Sequence, residues 1–241
     1  MAPLSDIPAA ILVGGLGTRL RTVVSDRPKA LAQVAGRPFV SYLFDQLVQA
    51  GVRRAILCVG HMGAQVQAQF GETYRTLSLS YSVETAPLGT AGALRWAAPL
   101  IASPTFLVLN GDSHCEADFN VFWQWHCQKS ASISLVLTHV VDTERYGQVQ
   151  VQPHGSVLGF VEKQTRGGPG WINAGVYLIE QTVLNTIPAG RAVSLEHEVF
   201  PIQVGSGLYG WRGGGRFLDI GTPESYETAQ TFFGEPSWMN Q

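Results

Sequence analysis

Residues 7–13, IPAAILV, make a short apolar run that stops at Gly14-Gly15. A run of this length closed by two glycines reads as a buried strand that feeds a tight turn, not as a helix. In FVSYLFDQLVQAG (39–51), Phe39, Leu43 and Leu47 form one i, i+4 row and Val40, Phe44 and Val48 form an adjacent one, with Pro38 before them and Gly51 after. That is the pattern of an amphipathic helix with its start and stop signals. RRAILCVG (53–60) is a second apolar strand. Strand, helix and strand in this order make a βαβ unit, which commits the chain to parallel strands joined by a right-handed crossover. A ligand loop is expected after the first strand.

The alternation continues. The pattern predicts a helix over 63–70, a strand over 79–84, a helix from Thr90 to Ala98 after the turn Pro87-Leu88-Gly89, and a strand over 105–112 that ends on an acid. A helix over 118–129 and a β-branched strand over 131–140 follow. The second half is richer in strands and loops. GQVQV (147–151) and VLGFVEK (157–163) read as a hairpin, NAGVYLI (173–179) and GRFLDIG (215–221) as further strands, and Thr222-Pro223 as the N-cap and first residue of a last helix over 223–233. No repeat or linker divides the chain, so the expectation is one domain over 1–241, with substrate-binding elaborations carried mainly after about residue 140. Phe232, Phe233 and Trp238 are expected to plug the core.

Charge narrows the ligand classes. Sixteen Lys+Arg against 18 Asp+Glu give a net charge of −2, so there is no broad basic field for nucleic acid or an anionic membrane. Any phosphate must be gripped locally. The run before Gly14 has no Lys or Arg ahead of it and is too short for a signal peptide or a membrane span, which predicts a cytoplasmic protein. Cys58, Cys115 and Cys127 form an odd set without a CxxC pair, and the six histidines show neither HxxxH nor HExxH spacing. Buried thiols are expected, without a disulfide framework or a zinc site.

The first chemical signal is GGLGTRL (14–20). Glycines let backbone N–H groups approach phosphate oxygens, and Thr18 and Arg19 add a hydroxyl and a forked cation. The spacing is not that of a Walker A loop, and Leu20 stands where a dinucleotide fingerprint has its third glycine. Alone, this is also the sequence of a plain glycine turn. Arg21, Arg27 and Lys29 follow within about ten residues, and Pro28 keeps the segment before Lys29 out of a regular helix.

With DRPKAL joined to GGLGTRL, the chain resembles the sugar-1-phosphate nucleotidyltransferases, the nucleotide-sugar pyrophosphorylases. ETAPLGTAGAL (84–94), LNGDS (109–113), YGQV (146–149), VEK (161–163), NAGVY (173–177) and FLDIGTPESY (217–226) match the family's motifs in order, over about residues 8–232. The resemblance implies a Rossmann-like three-layer α/β/α sandwich with a mixed, mostly parallel central sheet. It implies NTP and sugar 1-phosphate as substrates, NDP-sugar and pyrophosphate as products, and Mg²⁺ as cofactor. Arg19, Lys29, Asp112, Lys163 and Asp219 would be catalytic, with Asp112 and Asp219 holding the metal. Gly14, Gly15, Gly17, Thr18, Arg19, Lys29, Glu84, Pro87, Gly89 and Thr90 would bind the nucleotide. Gly111, Gly147, Glu162, Lys163, Asn173 and Glu196 would bind the sugar phosphate.

Plainer readings stand beside these: a loop cap for Asp112, a strand-end acid for Asp219, a turn and helix start for ETAPLGTAGAL. Glu162 and Lys163 share one ligand only if the strand bends or ends there, since neighbouring strand residues point to opposite faces. Within the family, PLGTAGAL and SLEHEVFP look most like bacterial guanylyltransferases for D-glycero-D-manno-heptose 1-phosphate or mannose 1-phosphate. The alternatives are a uridylyl- or thymidylyltransferase for glucose 1-phosphate and a non-catalytic nucleotide-sugar-binding subunit. A homodimer is the candidate assembly.

Overall fold

The computed structural model describes residues 2–15, 17, 19–20, 23–60, 62–161 and 167–233. Thr18, Glu162, Lys163 and Trp238 lie outside the described residues.

The first run forms β1 (Ala9–Leu12), followed by α1 (Val40–Gln49), β2 (Arg54–Val59), α2 (Gly63–Phe70), β3 (Leu77–Val83), α3 (Gly89–Ala97) and β4 (Thr105–Asn110). β1 pairs in parallel with β2 on one side and β4 on the other, and β2 pairs in parallel with β3. Ala9 and Ile11 face one hydrophobic layer with Leu57, Leu107 and Leu109, while Ala10, Ile56, Cys58, Phe106 and Val108 face the other. Both faces are covered, which is why these strands read as unbroken apolar runs.

The two i, i+4 rows of α1 lie against the sheet, with Leu43, Phe44 and Leu47 fully buried. Each contributes about 1.5–3 kcal/mol by leaving water. The helix begins at Val40, two residues after the expected start, because Pro38 pairs with Gln33 in a two-residue antiparallel ribbon. Ser41 returns a hydrogen bond to Pro38 O at 2.7 Å. α2 and α4 (Phe119–Lys129, capped by the Asp118 carboxylate) share this face, and α3 packs on the opposite one with residues 181–203.

After α4 the sheet changes direction. β6 (Ile133–Val140), the hairpin β7 (Gln148–Val151) and β8 (Val157–Val161), and the long β9 (Gly170–Glu180) build a flank in which β9 runs antiparallel to β4, β6 and β7. The register of β9 on β6 slips between Asn173 and Tyr177, where Gly175 takes φ +74°. β10 (Leu208–Gly214), which the sequence pattern did not signal, adds in parallel to β6. The sheet is mixed, with a parallel centre and an antiparallel flank, between two helical layers.

The strand expected over 215–221 does not join this sheet. β11 (Phe217–Asp219) pairs antiparallel with β5 (Ser113–Cys115) in a separate ribbon. α5 (Pro223–Phe232) starts at a Thr222/Ser225 capping box and packs Ala229, Tyr226, Phe232 and Phe233 on Leu20, Ala32, Phe39 and Leu218. Phe233 stacks on Tyr42 at 3.6 Å. Among the described residues no helix is long and apolar enough to cross a membrane.

Candidate active site

The carboxyl ends of β1 and β4 open into a cleft. In a sheet of this order the chain leaves β1 toward different sides, and ligands settle there. Two cavities of about 170 and 280 Å³ meet at Leu12, Gly15 and Asp112. Gly14, Gly15, Gly17, Arg19, Lys29, Glu84, Pro87, Gly89 and Thr90, all expected at a nucleotide, line one or both, as does Gly111. Cys58, Ala30, Ala93 and Asn110 line them too, without having been anticipated.

The glycines are there for approach. A Cβ on Gly14 or Gly60 would stand 2.9 or 2.7 Å from Glu84 Oε1, so the carboxylate beds against two bare backbones. Its other oxygen accepts from Leu88 N at 3.3 Å. Burial raises the pKa of Glu84, opposed by the Leu88 N–H. Beneath it, burial pushes the Cys58 thiol up to about 12, which makes it a wall rather than a nucleophile. Gly17, at φ +57°, leaves the stem of Lys29 room to pass beneath the loop. Gly111 admits no side chain, since a Cβ would lie 2.6 Å from Leu12 O.

Lys29 leaves a single 3₁₀ turn, Lys29–Leu31, which Pro28 introduces in extended conformation. Its ammonium reaches Asp112 Oδ2 at 2.8 Å. Asp112 lies in the turn two residues past β4, not within the strand as expected. Arg27 pairs instead with Asp26 at the surface, at 2.7 Å.

The ribbon brings the second aspartate to the first. Asp219 faces Ser113 across it, and Ile220 N donates to Asp112 O at 2.9 Å. Asp219 accepts from Gly221 N at 2.8 Å and from the Tyr146 hydroxyl, while Arg145 Nη2 lies 3.4 Å from each carboxylate oxygen. Burial and the Asp219 hydrogen bond both raise the Tyr146 pKa, keeping the phenol protonated. Arg145 was not anticipated. The sequence signal was a cation directly before the Tyr146-Gly147 loop.

Behind Thr90, Glu196 lines neither cavity and accepts from Thr90 Oγ1 at 2.9 Å, Ser194 Oγ at 3.0 Å and the Tyr177 hydroxyl at 3.5 Å. Thr90 Oγ1 also accepts from Leu195 N at 2.8 Å, which ties the 194–199 turn to the start of α3. Tyr177, fully buried, accepts in turn from Asn173 Nδ2 at 3.0 Å and Asn110 Nδ2 at 3.3 Å. Asn173 Oδ1 holds Gly175 N in the β9 bulge, so the side chain braces the wall and lines neither cavity. Gly147 precedes β7, where a Cβ would stand 3.1 Å from Val161 O. Asn110 Oδ1 and Ser113 Oγ are buried without a hydrogen-bond partner among the described residues, an arrangement expected where a polar ligand supplies the partner.

No group of three or more His, Cys, Asp or Glu gathers among the described residues. The ribbon sets the backbones of Asp112 and Asp219 side by side, and these two carboxylates are the residues that could hold a hard cation such as Mg²⁺, which keeps several waters and takes further oxygens from phosphates.

Comparison with known proteins agrees with this geometry. The chain is 35% identical over 225 residues to a mannose-1-phosphate guanylyltransferase of Mycobacterium tuberculosis, covering 92% of this chain and 63% of that protein. It therefore spans less than two thirds of that relative. It is 34% identical over 223 residues to the D-glycero-alpha-D-manno-heptose 1-phosphate guanylyltransferase of Aneurinibacillus thermoaerophilus, covering 92% of this chain and 96% of that one. Among solved structures, HddC from Yersinia pseudotuberculosis, complexed with GMP-PN, superposes with a TM-score of 0.82 at 30% identity, over 94% of this chain and 99% of that one. A putative glucose-1-phosphate thymidylyltransferase from Bacillus anthracis shares the fold, with a TM-score of 0.82 at 21% identity over 93% of this chain and 94% of that one. The nucleotidyl transferase family model matches residues 8–235, nearly the whole chain, and the chain belongs to that family.

Proposed function

We propose that the chain transfers a guanylyl group from GTP to a sugar 1-phosphate, mannose 1-phosphate or a manno-configured heptose 1-phosphate, giving a GDP-sugar and pyrophosphate. Glu84 carries the reading. An ionised carboxylate only accepts hydrogen bonds, and it stands on the floor of the larger cavity against Gly14 and Gly60. Guanine presents two adjacent donors on one edge, N1–H and N2–H₂. Uracil and thymine present a single N–H between two carbonyls, and adenine sets an acceptor beside its amine. An acceptor-only floor favours guanine. The guanylyltransferase names of the relatives and the GMP-PN bound to HddC point the same way.

In this reading the N–H groups of Gly14, Gly15 and Gly17, with Arg19, hold the β- and γ-phosphates that leave as pyrophosphate. Lys29 balances the charge that builds at the α-phosphate. Glu196, on its three donors, is assigned to hydroxyl groups of the sugar together with Gly111 and Gly147, and Asn173 braces it through Tyr177; Glu162 and Lys163 are assigned to the same pocket from the sequence. Asp112 and Asp219 would hold Mg²⁺, which when bound neutralises phosphate charge and orients the attacking oxygen. The sugar phosphate is already ionised and needs no general base. The parts before and after about residue 140 act as one unit, because the paired aspartates come from both, and the reaction belongs in the cytoplasm, where its triphosphate is made.

The test is pyrophosphate release across GTP, UTP, dTTP, ATP and CTP, each with mannose, heptose and glucose 1-phosphates. Turnover concentrated on GTP with a manno-configured sugar is expected. Preference for UTP or dTTP overturns the base assignment, and no release with any pair overturns the reading.

A further inference from the structure

Each carboxylate assigned to the divalent cation already has a cation of the chain beside it. The two pairs are built differently. Lys29 is 13% exposed and meets Asp112 at 2.8 Å. Arg145 is 47% exposed, and one nitrogen of its fork stands 3.4 Å from both Asp219 oxygens and 3.5 Å from Thr222 Oγ1, with the guanidinium over the Tyr146 ring at 5.6 Å. These distances are well beyond the roughly 2.7–2.9 Å of a tight charge-assisted bond. Asp219 does not need the arginine for its orientation, because Gly221 N and the Tyr146 hydroxyl fix it. What the arginine supplies is charge.

The backbone beneath it is secured. Thr143 is 3% exposed, and both its N–H and its hydroxyl donate to Gly168 O, at 3.1 and 3.0 Å. Arg145 is therefore free to swing as a side chain from a fixed base. In the proposed function Asp219 meets the second phosphate substrate through the metal, so a guanidinium that leaves Asp219 stays beside the place assigned to that phosphate. A guanidinium presents five donors in a planar fork suited to phosphate oxygens.

We infer that Arg145 is the counter-cation of Asp219 in the ligand-free cleft, that a divalent cation displaces it, and that the freed guanidinium then grips the phosphate of the sugar 1-phosphate. The inference rests on the proposed function, in which Asp219 binds the metal. Arg145 is then a binding residue for the second substrate rather than a surface charge, and binding of the metal prepares the sugar-phosphate site.

The experiment measures Mn²⁺ binding by electron paramagnetic resonance without nucleotide, together with steady-state kinetics, for the full chain and for Arg145→Gln, Arg145→Lys and Asp219→Asn. Asp219→Asn should weaken Mn²⁺ binding about tenfold or more. Arg145→Gln should tighten it about two- to fivefold, the size of a partly exposed ion pair. The same variant should raise KM for the sugar 1-phosphate about tenfold or more, with KM for the triphosphate unchanged. Arg145→Lys should recover part of the sugar-phosphate KM. If Arg145→Gln leaves Mn²⁺ affinity unchanged or weaker while Asp219→Asn lowers it, the counter-cation role fails and the metal assignment stands. If the triphosphate KM rises in place of the sugar-phosphate KM, the phosphate role fails. Unchanged Mn²⁺ binding in Asp219→Asn overturns the metal assignment and the inference with it.

Discussion

Lys29 Nζ stands 2.8 Å from Asp112 Oδ2, a contact between residues 83 positions apart that fastens the loop after β1 to the end of β4. Asp112 is 47% exposed, so removing the lysine leaves a carboxylate that water still solvates. Lys29→Ala should cost about 1 kcal/mol of stability or less. Its effect on turnover should be far larger, about 3–4 kcal/mol in the barrier, the loss seen when one preorganised donor is removed. Asp112→Asn should stop metal-dependent pyrophosphate release with the fold intact. Urea unfolding beside pyrophosphate release separates the two effects, and a rate loss below about tenfold in Lys29→Ala would count against its assignment.

Glu84→Gln exchanges one acceptor oxygen for an amide N–H₂ donor where guanine presents donors of its own. The ratio of kcat/KM for GTP to that for UTP should fall by about 1–3 kcal/mol, the scale of one good bidentate base contact. Gly60→Ala keeps the carboxylate but sets a Cβ 2.7 Å from its Oε1, so it should also weaken GTP use. An unaltered GTP preference in both variants would show that the base is read elsewhere.

Gly89 opens α3 at φ +70°, and a Cβ there would lie 2.6 Å from Val193 O. Gly190 has φ +79° with open space around it. Gly190→Ala should therefore cost about 1 kcal/mol from backbone conformation alone, and Gly89→Ala about 2–4 kcal/mol, because the clash adds to that cost. Chemical denaturation of the two variants checks the difference. Equal losses would mean that the contact with Val193 relaxes freely.

His114 packs edge-on against Phe232 and Phe233, and burial pushes its pKa from 6.5 down to about 4, with Glu116 opposing and Arg216 assisting. The unfolded chain then takes up a proton that the folded one refuses. Stability from this residue is complete above about pH 6.5 and is lost as pH falls toward about 4. The slope of unfolding free energy against pH across that window should be positive in the native chain and shallower in His114→Gln. Identical slopes would place the titration elsewhere.

The parallel centre was legible in the sequence because its strands are buried on both faces and its helices carry i, i+4 rows between clear punctuation. β10 was not legible. LYGWRGG has three glycines and no alternation, and it becomes a strand because β6 offers an edge. The β9 bulge is likewise a property of pairing, since it appears where the register on β6 slips. Motif order led to Asp112 and Asp219, whereas their placement on a small ribbon outside the main sheet depends on tertiary pairing alone. Arg145, amid Asp142, Thr143 and Glu144, has the composition of a solvated loop. The arrival of Asp219 gives that cation a carboxylate beside it.

The ribbon of β5 and β11 joins segments about a hundred residues apart. Contacts so distant in sequence are slow to form, because the entropy of closing a long loop is lost before the contact compensates for it. The loop after β1 shares that dependence, since Leu20 packs in one cluster with Leu218 and Ala229, whereas Glu84 beds on Gly14 and Gly60 of the first half. The far end of the chain thus acts as a clasp: loosening the ribbon would part Asp219 from Asp112 and uncover Leu20, while Gly14, Gly60 and Glu84 stay seated on the parallel centre.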